Sequence, residues 1–456
     1  MVGQSRTVDV AALLNDRRLT PFNYRLIILS LLITLFDGLD MTMISYTAPY
    51  LRDEMHLSKL MLGNMFSAGT AGMVVGGLLL STLGDRIGRR PAVLLAAFAF
   101  GLLTIATAFA QNFTQLLVLR FLDGVAAGGM LPLAWALNIE FVPRKMRATV
   151  VTIIMVGYST GGVIAGPLTN ALAPRFGWQA VFVAGGVATL ACACLLWAYL
   201  PESVRFLINK GKHPALVAET LSRVDPLFEL RPDDSFILAD EVAMAERARL
   251  TDLFKGDLKF LTPLLWLGYG ASSLAIYFSS SWGPLLLEEL KVERSTAALV
   301  GSFNGMFGAV AGLLLMRFTD RLGPGAVAFY PALAIPVLLF LGLGFVPPEL
   351  FLVFVVAGSI FVGGEHSGII SISGIFYPSA VRATGGGWVA SIGKLGGVMG
   401  PIAGAYVLSS GIPVIRSYAL LAICPAILMI CALGVATIVR RRTAALPTAG
   451  PVAGAE

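Results

Sequence analysis

Twelve apolar runs constrain this chain more than any other feature. They fall near 24–50, 59–83, 91–110, 113–138, 147–171 and 179–200, then again near 260–288, 295–317, 326–346, 349–376, 383–408 and 415–439. A helix crossing a hydrocarbon core about 30 Å thick needs about 20 apolar residues, and each run supplies roughly that length. Charge is correspondingly scarce: Asp, Glu, Lys and Arg make up 13% of the 456 residues, against about 25% in soluble domains. The expected fold is therefore an all-α polytopic membrane protein with twelve transmembrane helices in two six-helix bundles, 24–200 and 260–439. Residues 1–23 and 440–456 are read as tails and 201–259 as a polar linker, in which Phe236 to Phe254 suggests a short amphipathic helix.

Several classes are disfavoured by what is missing. The net charge of +6 is not gathered into one basic domain, so no nucleic-acid partner is expected. Cys192, Cys194, Cys424 and Cys431 lie inside apolar runs, where a thiol serves as a small hydrophobe. His56, His213 and His366 are far apart and no Cys-x-x-Cys or His-Glu-x-x-His spacing occurs, so neither a metal site nor a cofactor is expected. A membrane enzyme would need a metal, nucleotide or nucleophile motif, and none appears. The N-terminus is polar through Asn23 without an apolar stretch leading to a cleavage site, so the first span is expected to direct the chain to the membrane.

Orientation follows from Lys and Arg in alternate loops. With the N-terminus inside, one side collects Arg6, Arg17, Arg18, Arg25, Arg86, Arg89, Arg90, Arg144, Lys145, Arg147, Arg317, Arg321, Arg382, Arg440 to Arg442 and the basic residues of the linker. The other side holds only Arg52, Lys59, Arg175, Lys291, Arg294 and Arg416. Both termini are expected in the cytoplasm.

The halves repeat in register. Asp85-Arg86-Ile87-Gly88 recurs as Asp320-Arg321-Leu322-Gly323, and Arg147-Ala148-Thr149 as Arg382-Ala383-Thr384; 320 − 85 and 382 − 147 both equal 235. Gly166-Pro167 and Gly400-Pro401 agree within one residue. A parallel duplication of six spans places a substrate site between two bundles near the midplane and works by rocking.

Gly84-Asp85-Arg86-Ile87-Gly88-Arg89-Arg90, with its weaker copy at 320–323, resembles the major facilitator superfamily signature, apart from Ser81 where a glycine is usual. Pro201-Glu202-Ser203-Val204-Arg205-Phe206-Leu207 resembles a motif of sugar and organic-ion porters. Asp37-Gly38-Leu39-Asp40 in the first span resembles the Asp-Gly-x-Asp signature of aromatic acid/proton symporters. Glu140 and the segment Tyr377 to Gly385 are also similar to that family, while Lys394 stands where the family often has arginine. That change keeps the cation and loses the planar fork. The resemblance implies the facilitator fold, a small aromatic carboxylate as substrate, protons as the coupled ion, and a functional monomer in a bacterial inner membrane.

Ionisable residues inside spans mark function by default. Asp37, Asp40, Asp123, Glu140, Glu365, Arg120, His366 and Lys394 are placed there. At about 1.5 Å per residue, Asp37 lies roughly 20 Å from one end and Arg120 about 10 Å from the other, depths that coincide. Asp37 or Asp123 is the expected counter-charge for Arg120. Asp37 and Asp40 share a helix face, and two carboxylates in a low-dielectric site cannot both ionise cheaply; with Arg120 they are the expected proton-coupling group. Helix-packing ion pairs are the structural alternative. Gly124 and Gly128 smooth the face that carries Arg120 and suit close packing.

Lys394 is the first choice for a substrate carboxylate, with Glu365, His366 and Tyr277 as further binding candidates. Glu365 and His366 point about 100° apart, so only one can face a cavity well. Tyr269, Ser272, Ser273, Ser279 to Ser281, Trp282 and Asn304 add rings and hydroxyls suited to a hydroxylated ring. Trp282, near the outer end, reads as an interfacial anchor. Asp85, Arg86, Arg89, Glu140, Arg147, Asp320, Arg321 and Arg382 form the expected inner gate. A drug/proton antiporter is the alternative favoured by Gly162-x-x-x-Gly166-Pro167, and a sugar or organic-ion porter the one favoured by Pro201-Glu202-Ser203. A central cation argues instead for an anionic cargo.

Overall fold

The computed structural model describes residues 6–15, 18–211, 214–224, 234–238, 249–322, 324–377 and 381–445. Among these, ten helices are long and apolar enough to cross a membrane. The N-terminal half holds α2 (Pro21–Met55), α3 (Lys59–Ile87), α4 (Arg89–Thr107), α5 and α6 (Phe113–Gly128 and Met130–Phe141), α7 (Arg147–Phe176) and α8 (Trp178–Tyr199). After α9 (Val204–Asn209) and α10 (Pro214–Val224), the second half holds α11 (Leu258–Glu289), α12 (Arg294–Leu322), α13 (Phe329–Gly342), α14 (Phe351–Phe376), α15 (Arg382–Ser409), and α16 and α17 (Arg416–Leu421 and Ile423–Ala445). Helices α12 and α15, of 29 and 28 residues, are also long enough to span and occupy the eighth and eleventh places, so the series agrees with twelve spans.

Polar caps start several of these helices. Ser58 Oγ accepts from Met61 N at 3.2 Å, and Asn112 Oδ1 accepts from Gln115 N at 2.9 Å, each satisfying an amide that the helix leaves free. Gly88 separates α3 from α4 at φ +112°, a conformation side chains resist.

Two compact units result, 1–246 with 280–306 and 401–410, and 247–279 with 307–400 and 411–456. In the first, Leu26, Leu29 and Ile33 of α2 share one core with Ala92, Ala96 and Phe100 of α4, Leu133 and Leu137 of α6, and Leu196 of α8. Close helix approach rests on glycine. A Cβ on Gly38 would lie 2.0 Å from the Tyr158 carbonyl oxygen of α7, and one on Gly124 2.0 Å from that of Gly69 on α3. Small residues permit such contact where lipid offers no hydrophobic drive.

The N-terminal segment and the linker meet in this unit. Strand β1 (Thr7–Asp9) pairs in parallel with β2 (Ser235–Ile237), with Val8 opposite Phe236. Val10 and Leu14 of α1 (Val10–Asn15), Val217 and Leu221 of α10, and Leu238 all enter the same core. The amphipathic helix expected at Phe236 to Phe254 is therefore corrected at both ends. Residues 235–237 form a strand, 250–254 a 3-10 turn, and 239–248 lie outside the described residues. A partner 228 residues away in sequence fixes Phe236, and local periodicity cannot register it.

The second unit is built around Leu261 and Leu265 of α11, Ile369 and Ile372 of α14, Val389 of α15, and Leu428, Ala432 and Val435 of α17.

Candidate functional site

A cluster of charge lies buried inside the first unit, where α2 meets α5. Arg120 Nη1 and Nη2 donate to Asp40 Oδ1 and Oδ2 at 3.0 and 2.8 Å, a bidentate fork, and Nη1 also donates to Asp123 Oδ2 at 2.9 Å. Arg120, Asp40 and Asp123 are all buried. Thr104 Oγ1 of α4 lies 3.1 Å from Asp123 Oδ1 and 2.9 Å from the Phe100 carbonyl oxygen. Asp37, one turn before Asp40 and equally buried, has neither oxygen hydrogen-bonded. Of the two counter-charges expected, Asp123 is bonded to Arg120 and Asp37 is not; the bidentate partner is Asp40 instead. Positions 37 and 40 differ by only about 4.5 Å along a helix, less than a depth estimate resolves.

At the end of this unit that carries residues 85–90, Arg89 forms an ion pair with Glu140, whose Oε2 accepts from Ser203 Oγ at 2.6 Å. Glu202 Oε1 accepts from the backbone amides of Arg89, Arg90 and Ser203 at 2.9, 3.1 and 2.7 Å. A carboxylate on the first amides of α4 complements the helix dipole. A Cβ on Gly88 would lie 2.4 Å from Glu202 Oε2, so the Pro-Glu-Ser motif and the glycine of the 84–90 loop close on each other. Asp85 and Arg86 are exposed.

The duplication reappears in side-chain geometry. Arg147 Nε donates to the Val142 carbonyl at 3.2 Å, and Arg382 Nε to the Tyr377 carbonyl at 3.1 Å, equivalent pairs at the offset of 235. Arg147 Nη2 also reaches Asn15 Oδ1 at 3.5 Å. The side chains of Asp320 and Arg321 lie outside the described residues.

In the second unit, His366 stacks on Tyr269 with centroids 5.4 Å apart, and its Nδ1 lies 2.9 Å from Ser272 Oγ. Its neighbour Glu365 is fully buried with both oxygens unbonded. Tyr277 packs on the glycine face of α15, where a Cβ on Gly397 would lie 3.0 Å from its ring. Lys394, twelve residues into α15, is exposed and forms no ion pair among the described residues.

Near the α2–α3 turn, the first unit carries a second charged cluster, made of residues that are not among the expected site residues. Glu288 Oε1 accepts from Arg52 Nη2 at 2.9 Å and from Arg294 Nη2 at 2.8 Å, Arg294 also reaches Asp53 at 2.9 Å, and Lys59 pairs with Glu289 at 2.9 Å. Just beneath, Trp282 is fully buried, donates Nε1–H to the Pro401 carbonyl at 3.0 Å and meets Phe66 edge-on. It is packing rather than the interfacial anchor expected, because that end of α11 folds into the first unit. Gly166 N donates to Ser302 Oγ at 3.0 Å in the same layer.

Residues 30–349 match the family model of the Major Facilitator Superfamily. The chain belongs to the major facilitator superfamily. It is a multi-pass membrane transporter, not an enzyme. It is 33% identical to the 4-hydroxybenzoate transporter of Acinetobacter baylyi, covering 89% of this chain and 90% of that one. It is also 33% identical to the gallate transporter of Pseudomonas putida, at the same coverage. These are aromatic acid transporters, the branch that the first-span motif resembles. Among solved structures, an inward-facing, occupied bacterial homologue of the human lysosomal transporter Spinster aligns with TM-score 0.70 and 18% identity, over 92% of this chain and 97% of that one. The xylose transporter of Escherichia coli aligns with TM-score 0.69 and 15% identity, over 90% and 98%. Both share the facilitator fold.

Proposed function

We propose that this transporter imports small aromatic carboxylates, such as hydroxybenzoate or gallate, together with protons, by alternating access in a bacterial inner membrane with both termini cytoplasmic. The observation that carries the proposal is a buried guanidinium held by two carboxylates, Asp40 and Asp123, with a third, Asp37, left unbonded one turn away, in a chain whose relatives are named for aromatic acids. Asp37 has no counter-charge, and an unpaired buried carboxylate is costly; taking a proton removes that cost. A proton on Asp40 in turn weakens its hold on Arg120. The acids therefore respond to protons, as a coupled carrier requires.

Lys394 is the docking group for the substrate carboxylate. An exposed ammonium this far along an apolar helix needs a polar surround or an anion. His366, held by Ser272 and stacked on Tyr269, contributes an aromatic and hydrogen-bonding wall, while Glu365 and Tyr277 support it through the bundle and the α15 glycine face. Arg89 with Glu140, Arg147 and the 85–86 loop serve the inner gate, with Asp320, Arg321 and Arg382 as their repeat. The cluster of Arg52, Asp53, Glu288 and Arg294 serves as the outer one. Lys394 and Arg120 argue against cationic drugs as cargo.

The test is uptake of labelled 4-hydroxybenzoate by vesicles with and without a protonophore. Concentrative uptake that collapses with the uncoupler supports symport. Undiminished accumulation would sink it.

A further inference from the structure

Arg120 is fully buried yet serves two carboxylates, Asp40 on α2 through both of its terminal nitrogens and Asp123 on its own helix through one. If Asp40 alone held the guanidinium, a proton on Asp40 would strand a buried cation, and an uncompensated buried charge is among the most destabilising arrangements in a protein. Asp123 removes that difficulty. It lies three residues along α5, so α5 itself holds the pair together, and its own Oδ1 is supported by the Thr104 hydroxyl at 3.1 Å.

Among the described residues, Arg120 is the cation bonded to Asp123. On the Asp123 side of Arg120, α2 brings Asp40. Of the other helices packed on α2 or α5, α6 carries only Glu140, paired with Arg89, α7 carries Tyr158 beside Gly38 with Arg147 and Arg175 at its ends, and α8 carries no Asp, Glu, Lys, Arg or His. Helix α3 has no ionisable residue between Lys59 and Asp85, and α4 has none between Arg90 and Thr107, so it contributes only Thr104. We propose that Asp123 is a positioning residue of the proton step, the standing partner that keeps Arg120 compensated while Asp40 takes up and gives back its proton. This rests on the reading of Asp40 as a proton-handling group.

The consequence is directional. In Asp123→Asn, which keeps the side chain's shape, Asp40 faces an undivided Arg120 and loses a neighbouring anion, so it takes a proton only at higher proton concentration. The experiment uses the full chain in proteoliposomes and records proton-driven uptake of 4-hydroxybenzoate against external pH, each profile normalised to its own maximum. The midpoint of Asp123→Asn should move to lower pH by about one unit, a tenfold change in proton concentration. Thr104→Val, which removes only the hydroxyl beside Asp123, should move it the same way by less, and decides the matter alone if Asp123→Asn does not reach the membrane. A purely structural role lowers the maximum at every pH and leaves the midpoint in place, and that result overturns the proposal. Wild-type uptake indifferent to a protonophore overturns the symport reading and this inference together. A coupled wild type with unmoved variant midpoints overturns the role of Asp123 alone.

Discussion

Removing the Arg120 guanidinium tests the assignment of partners most searchingly. Its three hydrogen bonds, of 2.8, 2.9 and 3.0 Å, join fully buried groups. A hydrogen bond to a charged group contributes about 1.5–3 kcal/mol, and stripping one member from a buried pair costs about 3–5 kcal/mol because the other charge is left uncompensated. Arg120→Gln should therefore destabilise by about 3–5 kcal/mol. In a double-mutant cycle with Asp40→Asn, the coupling energy should reach about 2 kcal/mol, near the upper end for residues in one network. The same cycle with Asp37→Asn should give distinctly less, since no bond joins Asp37 to Arg120. Arg120→Lys should fall between, as an ammonium lacks the fork. The assay is reversible unfolding of the purified protein by SDS titration from mixed micelles, followed by tryptophan fluorescence. Coupling to Asp37 that equals or exceeds coupling to Asp40 would refute the pairing.

Three further outcomes are expected. Asp37→Asn should abolish accumulation above equilibrium in energised vesicles while exchange of labelled for unlabelled substrate continues; normal concentrative uptake removes Asp37 from the proton path. Lys394→Gln should raise the KM for 4-hydroxybenzoate at least tenfold and Lys394→Arg should restore much of the loss, whereas an unchanged KM in Lys394→Gln dismisses the docking role. Arg294→Gln should change stability by less than about 1 kcal/mol, as partly exposed ion pairs are weak. It should nonetheless speed labelling of a Ser302→Cys reporter, buried just beneath the charged cluster, by an impermeant thiol reagent, and equal labelling rates argue against an outer latch.

The spans were legible because a bilayer imposes a length that short loops and caps cannot disguise. The duplication was legible for a different reason. Two loops kept one offset, and the Arg147 and Arg382 bonds to carbonyls five residues upstream show that the offset preserves geometry as well as letters. What escaped the sequence was tertiary. Asp37 and Asp40 share a helix face, so choosing which one meets Arg120 needed a resolution finer than a helical turn. Trp282 at a helix end fits an interfacial belt or a packed layer equally well until its Nε1–H is seen on Pro401. Glu202 was visible as part of a motif, but its work on the first amides of α4 was not. The Phe236 strand depends on residues 7–9, and a moment taken over neighbours cannot report a partner so distant.

The central claim is that aromatic acid and protons move together. Its most direct test is the pH of a lightly buffered medium around proteoliposomes carrying this chain, recorded as 4-hydroxybenzoate is added at pH 7. The account expects prompt external alkalinisation that scales with labelled uptake and is absent with Asp37→Asn. Uptake of the labelled acid with no proton movement beyond that of protein-free liposomes would contradict it.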